Sequence, residues 1–151
     1  TNALTGLRKL IASITQETNY LHAYNAANNT YDLDGNQGSD FFSTLQAYSR
    51  DDTKGGSGAI MSATIPDIDP SVLNALDEYD IVFSDAANFQ VQNHVTGEVI
   101  SSNSYTSGSS FSVNGVSITI TDSSGGPAAG DTFFVSPIHN AIQDFNVVLT
   151  D

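Results

Sequence analysis

Three oxygen-bearing side chains, Asp32, Asp34 and Asn36, stand at every second position in YDLDGNQGSDFF (31–42). That is the spacing with which a calcium loop presents its first three ligands. The same loop needs a glycine at its sixth position to turn the chain and a bidentate glutamate at its twelfth. Gln37 and Ser43 occupy those places, so Asp32, Asp34 and Asn36 are weak candidates for metal ligands. The preferred reading is a structural corner built from Asp32, Gly35, Gly38, Asp40, Phe41 and Phe42. In it the acid and amide side chains beside the glycines bend the backbone by bonding to the main chain, and the two phenylalanines anchor the exit in a core.

Other residues capable of chemistry do not fall into working patterns. His22, His94 and His139 show neither His-x-x-x-His nor His-Glu-x-x-His spacing, so a zinc site would require chance convergence in space. KGGSGA (54–59) places its lysine ahead of the glycines, the reverse of a phosphate-cradling loop, and a Gly-x-Ser-x-Gly elbow fails at Ala59. The pairs Asp67 with Asp69 and Asp77 with Asp80 have the composition of acid–base dyads, but 17 acidic residues in a chain of 151 make such pairs ordinary. Without cysteine there is no thiol nucleophile, thiolate ligand or disulfide, which fits a protein that leaves the cell without oxidative folding. Nothing in these patterns argues for an enzyme.

Charge narrows the partners. Four basic residues against 17 acidic give a net charge of −13, and neutralising phosphates requires lysine and arginine. Nucleic acid and membrane surfaces are therefore not expected. All four cations, Arg8, Lys9, Arg50 and Lys54, precede Gly55, and residues 55–151 carry eleven carboxylates with no lysine or arginine. No apolar run approaches the roughly 20 residues of a membrane helix. The chain opens without methionine in the middle of a helical pattern, so it reads as a piece of a longer protein.

The elements that must position these residues fall into two kinds. Leu4, Leu7, Ile11, Ile14, Thr18 and Leu21 recur at spacings of three and four, the seam of a helix that packs along another helix. Its partner is either a further helix or the β region that follows. STLQAYSRDDTKGGSGAI (43–60) breaks every period and reads as a connecting loop. Beyond it the period becomes two. MSATI, YDIVFS, NFQVQNH, GEVISS, FSVNGVSITIT and DTFFVSP are candidate strands, with hairpin turns near Thr96–Gly97 and at Asn114–Gly115. NAIQDFNVVLTD combines a helical turn with an extended exit. The predicted fold class is α+β, mainly β: a long N-terminal helix followed by a small, mostly antiparallel β domain. Residues 1–45 form helix and corner of a larger helical domain, 46–140 the β domain, and 141–151 a return segment towards the helices.

LHAYNAANN leading to YDLDGNQGSDFF, and above all GGPAAGDTFFVSPIHNAIQDFNVVLTD, resemble the central region of the flagellar hook-associated protein 1 family. The matching positions are Asp32, Gly35, Gly38, Asp40, Phe41 and Phe42, then Pro127, Gly130, Asp131, Phe133, Val135, Pro137, Ala141, Ile142 and Asn146. The family's strand pair often carries a tryptophan where Phe89 stands here. The resemblance implies a fragment of a larger axial flagellar protein, secreted to the bacterial flagellum, structural and non-enzymatic, with no cofactor, and joining hook to filament. Its implied partners are other copies of itself and neighbouring hook and filament junction proteins. Leu4, Leu7, Ile11, Ile14 and Leu21 are then interface residues. The alternative is an extracellular β-rich binding module of an adhesin or carbohydrate-binding type, with Tyr79, Phe89, Tyr105 and Phe111 as a stacking platform.

Overall fold

The computed structural model describes residues 2–24, 38–53 and 58–148. Helix α1 (Asn2–Asn19) runs into a wider π-helical turn, Tyr20–Tyr24. Eight strands follow: β1 (Tyr48–Asp52), β2 (Ala59–Thr64), β3 (Tyr79–Asp85), β4 (Asn88–Asn93), β5 (Val99–Ser104), β6 (Ser110–Val113), β7 (Val116–Asp122) and β8 (Thr132–Ser136). A one-turn helix, α2 (Ala141–Asp144), precedes the exit. The strands form a five-stranded sheet in the order β1-β8-β3-β4-β5 and a three-stranded sheet in the order β2-β7-β6, with antiparallel pairing throughout.

Alternation of side chains across each strand decides what the sheets enclose. Tyr79, Ile81 and Phe83 of β3, Phe89 and Val91 of β4, and Val116, Ile118 and Ile120 of β7 turn inward, leaving Asp80, Val82, Gln90, Ser117 and Thr119 between them on the other face. With Phe133, Val135, Leu73 and Ile138 they make one core shared by both sheets. Burying each such side chain contributes about 1.5–3 kcal/mol. Strand β8 lies between β1 and β3 and is buried from Phe133 to Ser136. Phe134 occupies its other face, against Tyr48, His94 and His139.

The β6–β7 hairpin forms as its sequence predicts. Asn114 and Gly115 take positive φ, 44° and 87°, the conformation a two-residue hairpin turn requires. Gly115 is fixed twice over, since a Cβ there would sit 2.7 Å from the Leu73 Cα and from the Val72 carbonyl oxygen. Asn114 also donates from Nδ2 to the Tyr79 hydroxyl at 2.7 Å, and burial pushes the Tyr79 phenol above its ordinary pKa.

One element departs from expectation. Tyr48–Asp52 lies inside the stretch that reads as a connecting loop, yet forms β1 and pairs with β8 from Tyr48↔Ser136 to Asp52↔Thr132. An edge strand needs few apolar side chains, because only one of its sides faces a neighbouring strand and charges on it discourage further pairing. YSRDD therefore carries no hydrophobic alternation to read.

Candidate functional site

At about 100° per residue, α1 separates its side chains into two faces with different partners. Ala12, Thr15, Gln16 and Asn19 are buried against the rest of the chain. On the opposite side Leu4, Leu7, Leu10, Ile14 and Leu21 are 42–63 % exposed. The helix therefore does pack on the chain that follows it, against α2, the loop at Leu73 and the Phe41–Phe42 exit, but with small and polar residues, and its large aliphatic side chains point away. Of the seam expected from spacing, Ile11 and Thr18 are the exceptions: both are half-buried, Ile11 against the core.

Directional bonds hold the inner face. Gln16 donates from Nε2 to the Leu73 carbonyl at 2.8 Å in a buried setting. Asn19 accepts at Oδ1 from the backbone N–H groups of Phe41 (3.0 Å) and Phe42 (2.8 Å), and its Nδ2 donates to the Phe42 carbonyl at 2.8 Å. One amide thus satisfies three main-chain groups of the corner exit. Lys9 and Asp77 form an ion pair between the helix and the loop before β3, partly exposed and hence of modest worth.

Below this clamp lies a chain of rings separate from the main core. Phe41 meets His22 at 5.8 Å and Phe42 at 4.8 Å, and Phe42 stacks on Phe145 at 4.5 Å. Phe41 and Phe42 are half-buried here rather than inserted in the sheet core. Their backbones pair with the returning segment: Phe42 bridges Val147, Ser43 N–H donates to the Asn146 carbonyl at 2.8 Å, and Val148 N–H donates to Phe41 at 3.0 Å. Outgoing and returning chains are thereby tied at the foot of α1. Gly38 and Asp40 precede this junction; Asp32, Asp34, Gly35 and Asn36 lie outside the described residues, and with them the calcium-loop alternative.

The other motif residues are structural. Gly130, at φ 89°, and Asp131 bracket Phe83: Gly130 N–H donates to the Phe83 carbonyl (2.8 Å) and Phe83 N–H to the Asp131 carbonyl (2.9 Å). The buried Asp131 carboxylate accepts from Ala128 N–H at 2.8 Å. This knot lies beside the irregularity in β3–β4 pairing between Phe83 and Asp85. Phe133, Val135 and Ala141 are core, and Pro127 is buried.

The stacking platform does not form. Tyr79 and Phe89 are 1 % and 3 % exposed, Phe89 packs on Phe111 at 4.8 Å, and Tyr105 packs edge-on to Phe83 at 5.3 Å. Tyr79, Phe89 and Phe111 reach the core from their strands, and Tyr105 from the loop after β5. His22 lies at the ring chain of the corner, whereas His94 and His139 both approach Phe134. Among the described residues no group of three or more His, Cys, Asp or Glu side chains is arranged to hold a metal.

Sequence reasoning placed the aliphatic seam but not the polar clamp opposite it. Gln16 and Asn19 fall outside the aliphatic period, and their partners, Leu73 and Phe41–Phe42, are distant in sequence. A polar residue recurring with the small Ala12 and Thr15 on one helical face was the only available signal.

No family model matches the chain. It is 30% identical to flagellar hook-associated protein 1 of Salmonella typhimurium over 135 residues, 87% of this chain and 23% of that protein, and equally to the protein of the same name from Salmonella typhi. Among solved structures, the flagellar hook junction protein FlgK from Burkholderia pseudomallei superposes with a TM-score of 0.73 at 20% identity, covering 96% of this chain and 24% of that one. FlgL from Xanthomonas campestris gives a TM-score of 0.50 at 18% identity over 67% of this chain and 34% of its own. Both structures share the fold, an N-terminal helix followed by antiparallel sheets.

Proposed function

The chain is a relative of flagellar hook-associated protein 1 and spans about a quarter of that protein's length, and on this premise we propose that it is a structural segment of the flagellar hook–filament junction, assembled through the outward face of α1. The exposed row Leu4, Leu7, Leu10, Ile14 and Leu21 carries this reading. The helix already has partners on its other face, so the row is not needed to hold α1 on the rest of the chain. At roughly 25 cal/mol per Å² of apolar surface, leaving five large aliphatic side chains wet forgoes several kcal/mol, and a contiguous apolar strip of this kind marks a contact with another element. The seam has the three-and-four spacing of helix-on-helix packing.

The sheets then serve as a stiff outward-facing body with an acidic surface, whose self-repulsion discourages stray contacts. Other copies of the chain and neighbouring hook and filament junction proteins are the partners in this reading, outside the cell, with no catalytic step and no cofactor. The test is assembly by a bacterium whose own copy carries Leu7→Ser and Ile14→Ser. We expect folded, exported protein with filaments shed or absent; filaments anchored as in the wild type would overturn the reading.

A further inference from the structure

A cleft of about 400 Å³ opens between the first turns of α1 and the outer face of the five-stranded sheet. Its walls carry Arg8 from α1, Arg50 from β1, Glu78 before β3, His94 after β4, and Phe134 and His139 from β8 and its exit. Two of the four cations in a chain of net charge −13 thus meet in one place, brought from positions 42 residues apart in sequence.

Their pairing is unusual for so acidic a protein. Among the described residues, the ion pairs are Lys9 with Asp77 and His94 with Asp80, and neither guanidinium has a carboxylate within ion-pair reach. The Arg8 Nε is buried without a hydrogen-bond partner among the described residues, an unfavourable setting for a charged group's donor. The Arg50 guanidinium lies over the Phe134 ring, 5.2 Å from its centroid, a contact that orients the fork and leaves its edge open. His139 is stacked on Tyr48 at 4.0 Å on the same wall. Glu78 supplies the one carboxylate of the lining and Asp80 is engaged with His94 at 2.9 Å, so the two arginines leave the cleft short of negative charge.

The geometry points to a carboxylate-binding site, in which Arg8 and Arg50 grip an acidic group between Phe134 and His139. Guanidinium forks recognise carboxylates by paired N–H donors, and such a ligand would satisfy the orphaned Nε. The field in the cleft agrees: burial first, then the charge of Arg8, holds the His139 imidazole below its ordinary pKa, with Glu78 opposing and Arg50 adding to the effect. A carboxylate in the cleft reverses the sign of that field. Two sources offer the same chemistry, an acidic side chain from a second copy, whose residues 55–151 carry eleven carboxylates and no lysine or arginine, or a small free carboxylate. This inference stands independently of the flagellar reading.

The test titrates the His139 ring protons by NMR in the whole chain, in sodium chloride and in disodium glutarate at equal ionic strength. We expect glutarate to bind saturably and to raise the His139 pKa by about half a unit. Arg8→Gln and Arg50→Gln should each weaken the response about tenfold, and Arg8→Lys should weaken it less, while the amide spectra show all three folded. A glutarate response equal to that of chloride, or one that survives in the double Arg8→Gln and Arg50→Gln variant, overturns the proposal. Sedimentation separates the sources. Association that glutarate competes away assigns the carboxylate to a second copy, and saturable binding by a chain that stays monomeric assigns it to a free ligand.

Discussion

The inner core between the sheets and the outer face of α1 are both rich in large apolar side chains, yet only the first is closed. In the core, Ile81, Phe133 and Val135 are sealed by neighbours from both sheets. On the helix, leucines of the same type stay in water while Ala12, Gln16 and Asn19 do the packing. A helix carried for its own domain's stability would be turned the other way, with its apolar stripe inward. The inversion teaches that the polar bonds of Gln16 and Asn19 fix the rotation of α1 and leave the aliphatic row facing outward.

Perturbing each region should separate these roles. The largest effect is expected in the closed region: Gly115→Ala combines a φ of 87° with a Cβ 2.7 Å from the Leu73 backbone, and should cost roughly 2 kcal/mol or more by denaturant unfolding. Asn19→Ala comes next, since it strands two N–H groups and a carbonyl at Phe41–Phe42; about 1–3 kcal/mol is expected, with hydrogen exchange rising first at the corner.

A smaller effect belongs to pH. Burial and Arg8 lower the His139 pKa, so between that value and the ordinary one near 6.5 the unfolded chain binds more protons than the folded one. Stability should be level above about pH 6.5, decline gently as pH falls through this window, and flatten there in His139→Gln. The smallest is predicted for Leu7→Ser with Ile14→Ser, at about 0.5 kcal/mol per site in the isolated chain, although the same pair should disable assembly. A multi-kcal/mol loss from that pair would erase the distinction between the two regions.

Legibility followed the range of the interactions. Strands β3, β4 and β7 were readable because alternation is local, and the β6–β7 turn because Asn114–Gly115 names its own conformation. The aliphatic row of α1 was readable by period alone. Its direction was not, because it depends on Gln16 meeting Leu73 and Asn19 meeting Phe42, contacts spanning 57 and 23 residues. Strand β1 is not legible in sequence because its pairing with β8 is made by the backbone, to which the charged side chains of Arg50, Asp51 and Asp52 bear no witness. The arginine cleft was invisible for the same reason: its walls come from widely separated segments.

Because the chain has no cysteine, a single Leu7→Cys or Ile14→Cys reports on its own surroundings, and maleimide labelling of that residue tests the role of the outward face most directly. Rapid labelling in the free chain and strong protection in isolated hook–filament junctions is the predicted result. Equal labelling in both states, beside a protein demonstrably present in the junction, would contradict it.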